Sequence, residues 1–481
     1  MAASPPTEEE AGRRTPSAVT HEGTPRNDNA REQQRTRSNR QRPSQQSTRR
    51  LGRIVVGSLA SGFLAAGALA AMPFIPAGPS ELTGAVLCGF ALGWAMLAAL
   101  SVRFTDRPQR WAWAPALAMG LGGLSLIAFG AGAHDALGWV WPPVTVALAV
   151  WMAMCIRRDM ASRLGRWLLY PVVVLLAVVS VGAGTETVLS STAPEYAMPG
   201  ELVDVGGHRL HLHCTGSGSP TVVLEPGAGM SSSTMGWIAP AVARDTRVCV
   251  YDRAGRGWSD PADTTQDATQ IATDLHTLLQ RGNVPGPYVL AGHSFGGLYA
   301  LTYAAQYPTE VAGMALIDST VPVSAPIPTR RPAGSYDPTS RISALMSSAA
   351  RFGLTRFVVG LSGRTLPPAS ENAERASLAT SEHLRSTIDE YLQGGTSARE
   401  AAALTTFDGK PLFVLTAGEG SSAGWMPKQD RLAALSTNSA HHVVAGAAHA
   451  DLVVEERAAA ATSQAIREVV ASVRTGQPLE K

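Results

Sequence analysis

Cysteine is scarce in this chain, with four residues in 481, too few for a disulfide-stapled scaffold. No glycine loop followed by lysine and no dinucleotide fingerprint is present, so the common phosphate cradles are excluded. His208, His211 and His213 lie close to Cys214. On a strand, however, 211 and 213 share one face while 214 points the other way, so no compact ligand set forms and no metal or cofactor is expected. Residues 1 to about 50 almost lack large apolar side chains and are rich in Arg, Gln, Ser, Thr and Pro. Such a segment cannot bury enough surface to offset its ordering entropy and reads as disordered. No aromatic residue is interleaved with its arginines, which argues against nucleic-acid binding and for a basic tail facing anionic lipid.

Charge is missing elsewhere too. Five apolar runs, at about 54–74, 82–102, 111–131, 137–156 and 167–184, hold no Asp, Glu, Lys or Arg in their centres. Each is about 18–21 residues long, enough helix for a hydrocarbon layer of roughly 30 Å. Glycines such as Gly89, Gly93, Gly120, Gly122 and Gly123 suit close helix packing in lipid. Trp111, Trp113, Trp139, Trp141 and Trp167 sit at run ends, where amphipathic rings prefer the headgroup level. Pro142-Pro143 interrupts the fourth run. The net charge of +2 hides an alternation. The tail is basic, and the loop Pro76–Glu81 has no Lys or Arg. Arg103, Arg107 and Arg110 follow, then a loop around His134-Asp135 without basic residues, then Arg157, Arg158, Arg163 and Arg166. The positive-inside rule then predicts a multi-pass protein of the plasma membrane with its N-terminus cytoplasmic and everything after Gly184 outside. A cleavable signal peptide is not expected, because about fifty polar residues precede the first apolar run. Cys88 and Cys155 fall in or at the ends of spans, whereas Cys214 and Cys249 fall in two predicted strands. Outside the cytoplasm the latter two are available for a disulfide, two buried thiols being the alternative.

After a linker at 185–199, residues 200–475 alternate short apolar strands with amphipathic helices. Strands are predicted at Glu201–Val205, His208–Cys214, Thr221–Glu225, Arg247–Tyr251, Tyr288–Ala291, Met314–Asp318, Leu412–Ala417 and His441–Val444. Helices are predicted at about 264–281, 297–306, 429–436 and 455–474. That rhythm is the pattern of an α/β domain with a mostly parallel sheet covered on both faces. It stops between about 320 and 406, where a Pro-rich stretch and helices around Arg341–Val359 and Glu371–Leu392 read as a lid inserted at the carboxyl edge of the sheet.

Within the domain, Gly292-His293-Ser294-Phe295-Gly296 stands between a strand and a helix. A serine on such a hairpin takes a strained backbone that pushes its hydroxyl out of the sheet, and the crowded turn needs glycine two residues before and after. Ser294 is therefore the candidate nucleophile. Gly420-Ser421-Ser422-Ala423-Gly424 matches the same pattern but is not set on a strand end, and Trp425-Met426-Pro427 after it opens a helix poorly. A hydroxyl needs a base. His449, on a small-residue loop past the last strand, is the candidate, with His441 and His442 expected inside the strand and His293 as a supporting neighbour. A carboxylate must orient the imidazole. Asp318 at a strand end is favoured, with Asp430 and Glu419 left open. Donors for the carbonyl oxyanion are expected from the Phe295 N–H and from Ala228 or Gly229 in the loop Glu225–Met230.

These segments resemble the α/β-hydrolase superfamily. The residues that carry the resemblance are Glu225-Pro226-Gly227-Ala228-Gly229, then Tyr251-Asp252-Arg253-Ala254-Gly255-Arg256-Gly257-Trp258-Ser259-Asp260, the Gly292–Gly297 elbow and His449. Lipase, esterase and aminopeptidase-like members share the Asp-Arg-x-Gly-x-Gly-x-Ser block and the order Ser, Asp, His. The usual His-Gly of the oxyanion loop is Pro226-Gly227 here, and the acid is displaced. The resemblance implies an eight-stranded α/β-hydrolase sheet with a helical lid, and a serine hydrolase acting on a small-molecule or lipid-like acyl substrate. The competing expectation is a non-catalytic fold that binds a ligand or signals through the membrane region.

Overall fold

A computed structural model describes residues 45–160, 162–192, 197–326, 336–353, 355, 365–420, 422 and 424–480. The predicted disordered tail lies outside them except for its last few residues. The described residues open with five helices: α1 Gln45–Ala70, α2 Pro79–Phe104, α3 Trp113–Leu137, α4 Trp141–Asp159 and α5 Arg163–Thr192. They run up and down as a bundle, with small residues at the crossings: a Cβ added at Gly93 would lie 2.8 Å from the Ser58 carbonyl oxygen. The turns around 105–112 and 159–163 meet at one end, where the Gln109 amide reaches the Asp159 carbonyl (3.5 Å). At the other end the Thr187 hydroxyl reaches the Gly138 carbonyl (3.2 Å).

Four of these helices are long and apolar enough to cross a membrane: Thr48–Ala70, Pro79–Phe104, Arg110–Gly130 and Arg163–Leu189. This corrects the expectation of five spans. Helix α4 begins on Trp141-Pro142-Pro143 and ends on Arg157-Arg158-Asp159, leaving Val144–Ile156, about 20 Å of helix, as its apolar core. That is short of the roughly 30 Å hydrocarbon layer.

The domain that follows is built on strands β1 Glu201–Asp204, β2 Arg209–Thr215, β3 Thr221–Glu225, β4 Val248–Tyr251, β5 Tyr288–His293, β6 Val311–Ile317, β7 Leu412–Ala417 and β8 Ser439–Val444. All eight predicted strands are present, in the order β1-β2-β4-β3-β5-β6-β7-β8. Only β1–β2 and β2–β4 pair antiparallel; the other pairs are parallel. Strands β3, β4, β5 and β7 are buried along their whole length, which accounts for their continuous rather than alternating apolar sequence. Helices α6 Ile238–Val242, α7 Ala268–Arg281, α8 Phe295–Gln306, α9 Pro338–Ser347, α10 Pro368–Leu378, α11 Ser381–Glu400, α12 Trp425–Ala433, α13 Asp451–Val454 and α14 Glu456–Thr475 cover it. One core lies between the sheet and α7–α8, the other between the sheet and α6, α13 and α14. Helices α9–α11 form the inserted lid.

Cys214 and Cys249 form a disulfide with a sequence separation of 35. They are directly opposite each other in the antiparallel β2–β4 ladder, so the bridge ties the antiparallel edge of the sheet to its parallel centre. By the entropy of a loop of that length it contributes about 3–4 kcal/mol. Replacing both cysteines with serine is expected to lower the domain's unfolding free energy by that amount in denaturant titrations of the detergent-solubilised chain.

Candidate active site

Strand β5 runs into α8 through Ser294, whose backbone sits at φ 55°, ψ −121°. This is a costly conformation for a residue with a side chain and survives only where its surroundings fix it. Here the Ser294 N–H donates to the Ile317 carbonyl (3.1 Å), and the Ser294 carbonyl accepts from Gly297 (3.1 Å) and Thr320 (3.0 Å). A Cβ at Gly292 would meet the Gly296 carbonyl oxygen at 2.5 Å, and one at Gly296 would collide with the Glu225 carbonyl. The flanking glycines are thus steric requirements of the turn.

Asp318 ends the neighbouring strand, also at positive φ (42°). Its Oδ2 accepts from His449 Nδ1 at 2.6 Å. Its Oδ1 accepts from Trp425 Nε1 at 2.7 Å and from the Ala417 N–H at 3.3 Å. Burial alone would push this carboxyl up, but the bonds from His449 and Trp425 outweigh it and hold the group below its ordinary value. The ring of His449 is half exposed while Asp318 is buried. With Nδ1 tied to the carboxylate, Nε2 is the atom left to exchange a proton. His293 Nε2 donates to the His449 carbonyl at 3.0 Å, so it braces the loop that carries His449. Desolvation, with His449 alongside, lowers the His293 pKa to about 3 and keeps it neutral.

Of the three acids considered from the sequence, Asp318 meets His449. Asp430 instead pairs with His441 Nδ1 (2.8 Å), and β8 holds His441 and His442 in the strand as expected. Glu419 is fixed through its backbone, its N–H donating to the Ala447 carbonyl (3.0 Å). Helix α12 begins at Trp425, earlier than the expected 429. Pro427 falls in its first turn, where a missing N–H breaks no intrahelical bond, and Trp425 becomes a partner of Asp318.

The loop after β3 lies against the elbow: a Cβ at Gly227 would sit 3.2 Å from Ser294 Cβ. Its carbonyls are held by Arg253, whose Nη1 donates to Pro226 (2.9 Å) and Nη2 to Gly227 (2.7 Å). This gives the Asp252-Arg253 block a physical role. Arg253 Nε also donates to Glu390 Oε1 (2.6 Å), and Arg256 Nη2 donates to Glu390 Oε2. Glu390 comes from lid helix α11. Burial would raise its pKa, but Arg253 and Arg256 pull it down. Under the same loop, burial raises the Glu225 pKa to about 7. The Gly229 N–H, one of the loop's expected oxyanion donors, donates to Glu390 Oε2 (3.1 Å). Phe295 is the first residue of α8, and its N–H has no intrahelical acceptor. The Gly229 carbonyl accepts from His383 Nε2 (3.2 Å), and Thr387 packs on the Gly229 position. His383, Thr387 and Glu390 fall on one face of α11. Nothing in the linear sequence ties a residue 161 positions away to this loop; only the alignment of a helix face could have suggested it.

Residues 220–456 match the model of the alpha/beta hydrolase fold family. An uncharacterized Bacillus subtilis protein, YbdG, is 31% identical over 152 residues, which are 31% of this chain and 46% of the relative. The putative carbamate hydrolase RutD of Pseudomonas savastanoi pv. phaseolicola is 35% identical over 114 residues, 23% of this chain and 43% of the relative. This chain therefore spans less than half the length of these curated relatives. A putative lipase from Acinetobacter baumannii superposes with a TM-score of 0.45 at 20% identity, covering 61% of this chain and 97% of that one.

His293 and His383 each have their pKa lowered from 6.5 to about 3, in both cases first by burial. The unfolded chain therefore binds more protons between those values, and stability is lost as pH falls through 6.5 toward 3. At pH 5 each histidine is expected to cost on the order of 2 kcal/mol relative to pH 7. Unfolding midpoints measured at pH 7 and pH 5 should differ less in His293→Gln and His383→Gln than in the unaltered chain.

Proposed function

We propose that this protein is a membrane-anchored serine hydrolase that cleaves an ester, thioester or amide outside the cytoplasm. The observation that carries the reading is the 2.6 Å bond from His449 to Asp318 on the sheet edge where the strained turn presents Ser294. In this reading His449 Nε2 takes the Ser294 proton as Oγ attacks the acyl carbon. The Phe295 and Ala228 N–H groups stabilise the oxyanion. His449 then returns the proton to the leaving group, and water hydrolyses the acyl-enzyme by the same steps. Asp318 stays ionised and stabilises the imidazolium that forms in each half-reaction.

Membrane anchoring is supported by the four long apolar helices. Placement of the domain outside is supported by two features. The arginine clusters fall in alternate loops, as the positive-inside rule requires. The Cys214–Cys249 disulfide fits an oxidising compartment.

A fluorophosphonate should label the full-length chain at Ser294, with labelling lost in Ser294→Ala and kept in Ser422→Ala. A folded chain that resists the reagent would overturn the reading. Against a short-chain nitrophenyl ester, Asp318→Asn should reduce kcat by on the order of 10³–10⁴, because the base loses its tautomer and the stabilisation of its cation. Asp430→Asn and Glu419→Gln should leave kcat within about twofold, since surface changes away from the chemistry have small effects. A membrane-impermeant reagent should label the domain in sealed right-side-out vesicles but not in inverted ones.

A further inference from the structure

One lid segment is bound to the membrane bundle as well as to the rest of the lid. Helix α9 and the 3₁₀ turn Ser348–Phe352 rest on the turn that joins α1 to α2. The Arg341 guanidinium, only 6% exposed, donates to three carbonyls of that turn: Ala70 (2.7 Å), Ile75 (2.9 Å) and Met72 (3.0 Å). A helix end leaves such carbonyls without intrahelical donors, so Arg341 satisfies a group of acceptors that a membrane interface would otherwise hydrate. Ala344 packs with Ile75, Leu82 and Ala85. The hydroxyls of Thr83 and Ser348 are 2.9 Å apart, and Arg351 Nη1 donates to Ser80 Oγ (2.7 Å). On the other side Phe352 lies against Gly182, where an added Cβ would collide with its carbonyl.

Leu82 and Ala85 belong to the span Pro79–Phe104, and Gly182 to the span Arg163–Leu189. The segment therefore sits level with the last turns of two helices whose outer faces are exposed apolar surface. Its own outer face continues that surface: Ile342 and Met346, one turn apart on α9, are 58% and 56% exposed. In water this would be an unexplained apolar patch; at the depth of the span ends it is an interfacial helix face. The same lid reaches the proposed nucleophile's neighbour. Arg351 Nε donates to Ser381 Oγ at the start of α11 (3.3 Å), and further along α11 the Tyr391 ring packs on Phe295 (5.6 Å between centroids).

We infer that the α9 face carrying Ile342 and Met346 lies in the headgroup–acyl boundary of the bilayer, and that the site draws its substrate from there, an amphiphile bearing a long acyl ester or amide. The substrate half of this inference rests on the serine-hydrolase reading; the membrane contact does not. Burial of the two side chains in lipid sets the lid's height against the membrane and places its edge where an acyl chain leaving the leaflet meets protein.

Two measurements test it on the full chain reconstituted in phosphatidylcholine vesicles. In a Cys88→Ala, Cys155→Ala background without reductant, Ile342→Cys, Met346→Cys and, as control, Thr273→Cys on exposed α7 each carry an environment-sensitive fluorophore. Nitroxide-labelled lipid should quench the labels at 342 and 346 with blue-shifted emission, while aqueous iodide quenches only the label at 273. Iodide quenching at 342 and 346 equal to the control overturns the contact. Shielding from iodide without lipid quenching overturns it in favour of self-association. Second, Ile342→Asp with Met346→Asp should lower turnover of a vesicle-borne long-chain ester by roughly tenfold or more, with a water-soluble short-chain ester unchanged. Equal loss on both esters, or on neither, overturns membrane delivery. Should Ser294→Ala leave short-chain turnover intact, the hydrolase reading itself fails, whatever the quenching shows.

Discussion

The chemistry read from this fold depends on one buried carboxylate. Asp318 gathers donors from three segments far apart in sequence: the loop of His449, the indole of Trp425 and the end of β7 at Ala417. An ionised carboxylate is tolerated at such burial only because those bonds replace water. In exchange it fixes His449 in one tautomer and one orientation, which a half-exposed ring would not hold by itself. The strained backbone at Ser294 and at Asp318 is held in each case by the adjacent strand, the Ser294 N–H donating to Ile317 of β6 and the Asp318 N–H to Leu415 of β7.

A second polar centre, equally buried, organises the other side of the site. Arg253 and Arg256 from the loop after β4 meet Glu390 from the lid. Together with His383 they grip both the N–H and the carbonyl of Gly229. A buried ion pair of this kind adds little net stability over an apolar replacement, yet removing one partner is costly because it strands a charge. Its worth is geometric: it fixes the loop beside Ser294 and ties the lid to it. The lid's other end is fastened to the N-terminal helical bundle by Arg341 and Arg351. Bundle, lid and oxyanion loop thus form one continuous chain of polar contacts.

Much of this was legible along the chain. Periodicity located all eight strands, because fully buried parallel strands are written as uninterrupted apolar runs bounded by turns. Glycine at 292 and 296 marked the elbow because backbone atoms occupy the space a Cβ would need. The acid was narrowed only to Asp318, Asp430 and Glu419. All three follow or approach the later strands, and which carboxylate meets the histidine depends on how β6, β7 and β8 line up side by side. The fifth span was overcounted for a different reason: the run 137–156 is apolar in composition, but its prolines and terminal charges shorten the helix that can sit in lipid.

What the sequence determined alone were features with a local physical cause: the periods of buried strands, the glycines of a strained turn, the length and emptiness of charge of the spans. The tertiary structure decided everything that needs two distant segments to meet. It brought Asp318 to His449, engaged Gly229 with Glu390, bridged Cys214 to Cys249, and laid α9 against the helix ends of the bundle. Side-chain hydrogen bonds and contacts act over a few ångströms of space, and no spacing along the chain encodes which residues will come that close.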